Sequence, residues 1–421
     1  MQRLIWLFKS HSFSRALFII ISKISYIIFA PFIRCVIGYT IKTKDDRLVF
    51  ISSPDYSDNG RALSDYLINS VCSKKYKIIW LVKNLPKKPP KNVMFIKARG
   101  VFHGYLSIRG LYYLQSAKMI FYTHGIDKAP RKKAECPLVV NLWHGCGYKA
   151  NKRYKANQRE AKGRKHFLSF DYVLVPGELF IEPKALFFGC SKEQVLPLGY
   201  PRYDLLTTKN KAVRKYITTL KKSDEEKLII WMPTFRKSKS YSPENEIFYE
   251  YDLPIVASEQ ELRKLDQYCY ENQVIILIKR HKNQIVTTFN RCGELTNIFF
   301  IDDKFLDNLE IQLYELLGET NALITDYSSV AIDYLLLDKP IGFTLDDFEE
   351  YKSARGFVFD DPKRYMPGHH IYTYTELCQF ISDISMEIDV YKEKREIVRI
   401  VAHRPTTNYC EEIARYFGLV P

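Results

Sequence analysis

The sequence lacks paired cysteines. Its nine, at positions 35, 72, 136, 146, 190, 269, 292, 378 and 410, are scattered, odd in number and form no C-x-x-C. A disulfide scaffold and a zinc ribbon fit poorly; reduced thiols in a cytosolic compartment are the expectation. Long apolar runs are lacking too. Within residues 13–39 the charge-free stretches reach only from Ala16 to Ser22 and from Ile24 to Ile33, short of the ~20 residues a bilayer span needs. No small-residue cleavage site follows, so a signal peptide is not expected. Neither G-x-x-x-x-G-K-[ST] nor G-x-G-x-x-G falls between a strand and a helix, which removes support for a P-loop or a dinucleotide fold. No H-E-x-x-H, paired histidine or Cys/His cluster argues for a tightly held metal, and no tightly bound cofactor is expected; the dependence on a divalent metal stays open. Internal repeats and low-complexity runs are also missing.

Acidic residues are the scarcer charge: 48 Asp plus Glu face 63 Lys plus Arg in 421 residues, for a net charge of +15. Such a balance favours polyanionic partners, whether nucleic acid, an anionic membrane surface or phosphorylated substrates. A composition 46% hydrophobic and 26% charged is globular, and the length allows two or three domains. Near the N-terminus, Arg15, Lys23 and Arg34 interrupt an apolar stretch that Pro31 would break. Cations set among Phe, Ile, Leu and Tyr suit a helix lying in anionic headgroups. An amphipathic helix packed on the chain's own core is the alternative.

From residue 47 short apolar runs alternate with longer amphipathic ones. RLVFISS, YKIIWLV, NVMFIKA, AKMIFYT, LVVNLWHG and DYVLVP read as buried strands, being four to eight residues rich in β-branched and aromatic types. A charged helical connector, KNKAVRKYITTLKKSDEEK, precedes a second series: KLIIWMP, QVIILIKRH, IFFIDD, ALITDYSS and KPIGFTL. Strands alternating with helices imply parallel, doubly wound sheets. The expected organisation is a membrane-associating helical segment over 1–40, Rossmann-like domains over 41–215 and 216–385, and terminal helices over 386–421. Ligands of such folds sit at the carboxyl ends of strands.

Several polar residues stand at those ends. His144 follows an apolar strand and is flanked by Gly145 and Gly147; small neighbours let a ligand approach, and an imidazole near neutrality can serve as a general base. Lys279, Arg280 and His281 close another strand, and Thr234, Arg236 and Lys237 a third, groups able to bind an anion. Asp326, Tyr327, Ser328 and Ser329 join a strand to an apolar helix. Either serine could cap that helix, whose free N–H groups can hold a phosphate. For each the bland alternative is a structural histidine, a solvated loop or a simple cap.

In this order, NLWHGCGYK (141–149), LGYPRYDLL (198–206), IIWMPTFRK (229–237), LIKRH (277–281) and LITDYSSVAIDYLLLDKPIGFTLDDFEEYKSARGFVFD (323–360) resemble the CDP-glycerol glycerophosphotransferases of teichoic acid and capsule synthesis. The resemblance covers most of residues 48–400. It implies an α/β fold of GT-B type, with two Rossmann-like domains facing a cleft, a membrane-proximal amphipathic N-terminus, and terminal helices crossing back to the first domain. It implies transfer of glycerol phosphate, or a related polyol phosphate, from CDP-glycerol or CDP-ribitol to a hydroxyl of a lipid-linked or cell-surface glycan, with release of CMP. His144 corresponds to the family's proposed base and His281 to the histidine near the donor pyrophosphate. Ser328 and Ser329, with Asp326 beside them, correspond to the serines that hold donor phosphate. Thr234, Arg236, Lys279 and Arg280 join the expected donor side; Asn59, Gly145, Lys149 and Arg202 form the expected acceptor side. Lys282 stands where the family usually has proline, so the donor loop is expected to differ in shape. A peripheral place on the cytoplasmic face of the membrane, without nucleic acid, completes the reading. The competing readings are a GT-B glycosyltransferase using a nucleotide-sugar and a basic, non-enzymatic scaffold.

Overall fold

The computed structural model describes residues 12–17, 20–21, 36, 40–70, 74–97, 107–125, 137–150, 154, 170–234, 253–279 and 295–421. Most of the N-terminal segment therefore lies outside the described residues. Within it Phe13 to Leu17 are helical, with Ala16 buried and Phe13 and Leu17 exposed. No helix among the described residues is long and apolar enough to cross a membrane. By its contacts the chain forms two units: Met1–Asn141 with Ser169–Asp171, and Leu142–Leu168 with Tyr172–Pro421.

The first unit holds β1 (Arg47–Ile51), β2 (Lys77–Val82), β3 (Val93–Lys97), β4 (Met119–Tyr122) and β5 (Leu138–Asn141). All pair in parallel, in the order β3-β2-β1-β4-β5. Their apolar runs are buried because helices cover a parallel sheet on its faces. One of them, α1 (Asp58–Asn69), comes so close that a Cβ on Gly60 would lie 2.8 Å from the Trp80 ring. Trp80 also donates from Nε1 to Ser64 Oγ at 3.2 Å and stacks on Phe50, with centroids 5.4 Å apart. A second helix, α2 (Ile108–Gln115), starts where Ser107 accepts from the Gly110 N–H.

The second unit carries a parallel pair, β6 (Tyr172–Leu174) and β7 (Val195–Leu196), and a six-stranded parallel sheet. That sheet comprises β8 (Lys227–Met232), β9 (Val274–Lys279), β10 (Ile298–Ile301), β11 (Ala322–Thr325), β12 (Ile341–Thr344) and β13 (His369–Ile371), in the order β10-β9-β8-β11-β12-β13. Each run read as a strand forms one, so the expected α/β class with two parallel sheets is found. The edge strand β13 is an addition. Its three residues begin with two histidines and carry little strand signal; its pairing with Gly342–Thr344 is a tertiary event.

Among the described residues the α-helical segments of this unit include, in chain order, α3 (Ile181–Phe188), α4 (Lys211–Leu220), α5 (Glu259–Glu271), α6 (Asp303–Asn308), α7 (Leu313–Gly318), α8 (Val330–Tyr334), α9 (Phe348–Ala354), α10 (Tyr374–Ser385), α11 (Lys392–Ala402) and α12 (Tyr409–Tyr416). The charged connector is α4, begun by Asn210, whose side chain accepts from the Ala212 N–H. Residues Pro201–Thr207 form a 3₁₀ helix. The terminal helices pack on this segment and its surroundings: Asp204 accepts from the N–H groups of Tyr409 and Cys410 at 2.8 and 2.9 Å, and Arg404 N donates to Pro176 O.

Candidate active site

Sheet topology locates the crevice. Strand order in the six-stranded sheet reverses direction between β8 and β11, because β9 and β10 extend one way and β12 and β13 the other. At such a switch point the loops leaving adjacent strands part, and ligands of doubly wound sheets bind there. The residues just past these two strands are Pro233–Thr234 and Asp326–Ser329. Asp326, fully buried, accepts from the Thr234 N–H at 2.7 Å and from the Thr234 hydroxyl. Lys149 Nζ in turn donates to Thr234 Oγ1 at 2.8 Å. Thr234 is thus tied to Asp326, and the expected donor-side and acceptor-side residues Thr234 and Lys149 touch each other.

The loop after β5 is shaped by its backbone. Trp143 sits at φ +55° and Gly145 at φ +136°, conformations that most side chains resist. The Trp143 and His144 rings lie 4.1 Å apart at 34°. Lys184, on α3 and buried, places its ammonium 4.6 Å from the Trp143 centroid and 4.8 Å from that of Phe187; cation–π attraction offsets part of its desolvation. Beyond His144 the chain is held by Val358 N donating to Tyr148 O at 2.8 Å and by Ala150 N donating to Gly356 O at 3.0 Å. The glycines serve a close approach. A Cβ on Gly145 would collide with the Ser329 hydroxyl, and one on Gly147 would lie 2.8 Å from Ser329 Cα. The W-H-G segment therefore rests directly on the second serine of T-D-Y-S-S.

Capping differs from expectation. Ser329 has helical angles, φ −63° and ψ −18°, and its side chain makes no capping bond to α8. The first-turn N–H groups instead meet carbonyls, Ala331 N on Ser328 O and Ile332 N on Ser329 O. Tyr327, between strand and serines, is buried and donates to Asp347 Oδ1 at 2.9 Å.

Arg202 is buried rather than open to a ligand. Its Nη2 meets Asp333 Oδ2 at 2.6 Å, and its Nη1 donates to the His144 carbonyl at 3.3 Å. Asp333, fully buried in α8, also accepts from the Tyr203 hydroxyl at 2.5 Å and from that of Tyr314. Sequence reasoning missed this hub. Its one signal was a lone carboxylate inside the apolar run VAIDYLLL. Burial pushes the Tyr203 phenol far above its ordinary range, so it stays a donor. Cys146 and Tyr200 pair at 3.1 Å, and burial raises both groups; the thiol is not a ready nucleophile.

Lys279 ends β9, buried, with its ammonium 2.7 Å from Asp303 Oδ1. Asn59 is buried in the first turn of α1, in the first unit. Arg236, Arg280 and His281 lie outside the described residues, as do Lys237 and Lys282. Among the described residues no group of three or more His, Cys, Asp or Glu side chains is placed to hold a metal ion.

Two parallel Rossmann-like sheets, with polar side chains gathered at the switch point of the second, define a doubly wound α/β protein. The family model described as CDP-Glycerol:Poly(glycerophosphate) glycerophosphotransferase matches residues 34–403, and the chain belongs to that family. Its relatives include the teichoic acid poly(glycerol phosphate) polymerase of Bacillus subtilis, 25% identical over 365 residues that cover 82% of this chain and 44% of that protein. The protein of the same description from Bacillus spizizenii is 26% identical over 353 residues, covering 80% of this chain and 84% of its own. The Staphylococcus aureus teichoic acid ribitol-phosphate polymerase TarK is 26% identical over 267 residues, 60% of this chain and 47% of that one. The chain thus spans under half the length of the B. subtilis and S. aureus proteins. A solved structure of the wall teichoic acid polymerase TagF has the same fold, with a TM-score of 0.70 at 22% identity over 94% of this chain and 96% of that one.

Proposed function

We propose that this protein transfers glycerol phosphate or ribitol phosphate from the CDP-alditol to a hydroxyl of a lipid-linked or cell-surface glycan, in teichoic acid or capsular polysaccharide synthesis. The observation that carries the reading is the seating of the W-H-G loop on Ser329 at the switch point, within a chain of the glycerophosphotransferase family. In the reaction an acceptor oxygen attacks the phosphorus that bears the alditol. The new O–P bond forms as the bond to CMP breaks, and CMP leaves with the electron pair. His144 takes the acceptor proton, a contribution of typically 10²–10⁴-fold. Ser328 and Ser329 hold donor phosphate, and His281 is assigned to the donor pyrophosphate by its motif. Arg236, Arg280 and Lys279 stabilise the charge that spreads over the phosphoryl oxygens, so their effect falls on turnover more than on donor affinity. Asp326 acts by fixing Thr234 and, through it, Lys149.

The donor side belongs to the second Rossmann-like domain and the acceptor side to the first, with residues 1–40 keeping the enzyme peripheral on the cytoplasmic face of the membrane. The test is release of CMP with a lipid-linked acceptor, comparing CDP-glycerol, CDP-ribitol and UDP-sugars. Turnover with a CDP-alditol that falls about 10²–10⁴-fold in His144→Ala supports the reading. Turnover with a UDP-sugar alone replaces it by sugar transfer. Lack of any CDP-dependent protection against thermal unfolding leaves the non-enzymatic scaffold.

A further inference from the structure

We infer that the buried Arg202–Asp333 ion pair is a positioning device that keeps His144 in register with Ser329. The inference rests on the phosphotransfer reading above and gives Arg202 a different task from acceptor binding. Three observations lead to it. Asp333 lies one turn beyond Ser329 on the same helix, and its N–H points back to the Ser329 carbonyl at 3.4 Å. Its carboxylate is held by Arg202 and Tyr203 from the 3₁₀ helix Pro201–Thr207 and by Tyr314 from α7. The second guanidinium nitrogen of Arg202 then binds the backbone carbonyl of His144 itself.

One fork therefore joins the proposed base to the helix that bears the proposed phosphate-binding serines. Its plane is fixed as well, because the guanidinium carbon lies 4.4 Å from the Tyr314 ring centroid and 5.3 Å from that of Tyr200. A buried ion pair adds little to stability compared with apolar residues of the same shape, whereas its directional bonds specify geometry. Geometry is what in-line transfer needs: a misplacement of about 1 Å can cost 10²-fold in rate. The bond from Arg202 ends on the His144 backbone carbonyl, so it acts through His144, and that carbonyl is still there when the ring is removed.

That last point supplies the test. CMP release is measured for Asp333→Asn, Arg202→Lys and Tyr314→Phe, each alone and combined with His144→Ala, alongside the wild type. Alone, Asp333→Asn and Arg202→Lys are expected to lower kcat about 10- to 100-fold while the donor KM moves far less. Tyr314→Phe removes one of the donors on the carboxylate and keeps the ion pair; a smaller loss of kcat is expected, and it serves if Asp333→Asn does not fold. In the His144→Ala background each change should cost no more than about twofold, within the scatter of such cycles, because there is no ring left to position and coupled sites do not add. Equal losses in both backgrounds, or unchanged kcat in Arg202→Lys and Tyr314→Phe, overturn the inference while leaving the phosphotransfer reading intact. A wild-type protein that releases no CMP from CDP-glycerol or CDP-ribitol overturns that reading, and the inference with it.

Discussion

His403 is buried and tied to one backbone carbonyl. Its Nε2 lies 2.7 Å from the Ile332 carbonyl, which can only accept, so Nε2 carries the proton and the ring is neutral with Nδ1 buried and unpartnered. Burial pushes its pKa down to about 4. A histidine whose folded value is depressed favours the unfolded state as protons are added, so its contribution is complete above the ordinary value near 6.5 and is lost as pH falls toward about 4. A shift of this size corresponds to about 3 kcal/mol at the acid end. Thermal unfolding followed from pH 7 to pH 4.5 should therefore show a falling Tm, and His403→Gln should flatten that fall. A wild-type Tm that holds constant over the window contradicts the assignment.

At the scale of elements, the terminal helix α12 depends on a residue far from it in sequence. Asn408 leads into the helix without a side-chain cap, and Asp204 supplies the missing acceptors from the 3₁₀ helix. Asp204→Ala should cost about 1–2 kcal/mol, as loss of a cap does, and should speed amide exchange in Tyr409–Tyr416 first. Exchange that rises evenly over the whole chain would mean that the contact does not hold this helix. Elements were mostly legible beforehand. Leu228–Trp231 and Val274–Lys279 are buried throughout, and a continuous apolar run is what such strands require. The hairpin-free alternation with helices then implied parallel pairing. Capping at Ser329 was not legible, since whether a serine caps depends on its φ and ψ, which residue type alone leaves open. Asp204 was equally silent, because the helix it serves begins 205 residues later.

For the molecule as a whole, a net charge of +15 and an N-terminal stretch that mixes cations with large apolar residues lead to one expectation. The protein should float with liposomes containing anionic lipid, and salt should release it, the screening length being about 8 Å at physiological ionic strength. Extraction that needs detergent and ignores salt and alkali would instead indicate a span. By itself the sequence determined the α/β class, the strand identities and the strand ends at which chemistry could collect. These follow from local periodicity and burial, which each run carries within itself. Its ordered motifs also carried the family. Tertiary structure alone decided which of those ends meet. Arg202 and Asp333 are 131 residues apart, and nothing in either neighbourhood names the other. An arginine beside a proline reads equally well as a ligand contact or as half of a buried pair. The choice depends on how much water the packed chain leaves around it, and here the packing leaves almost none.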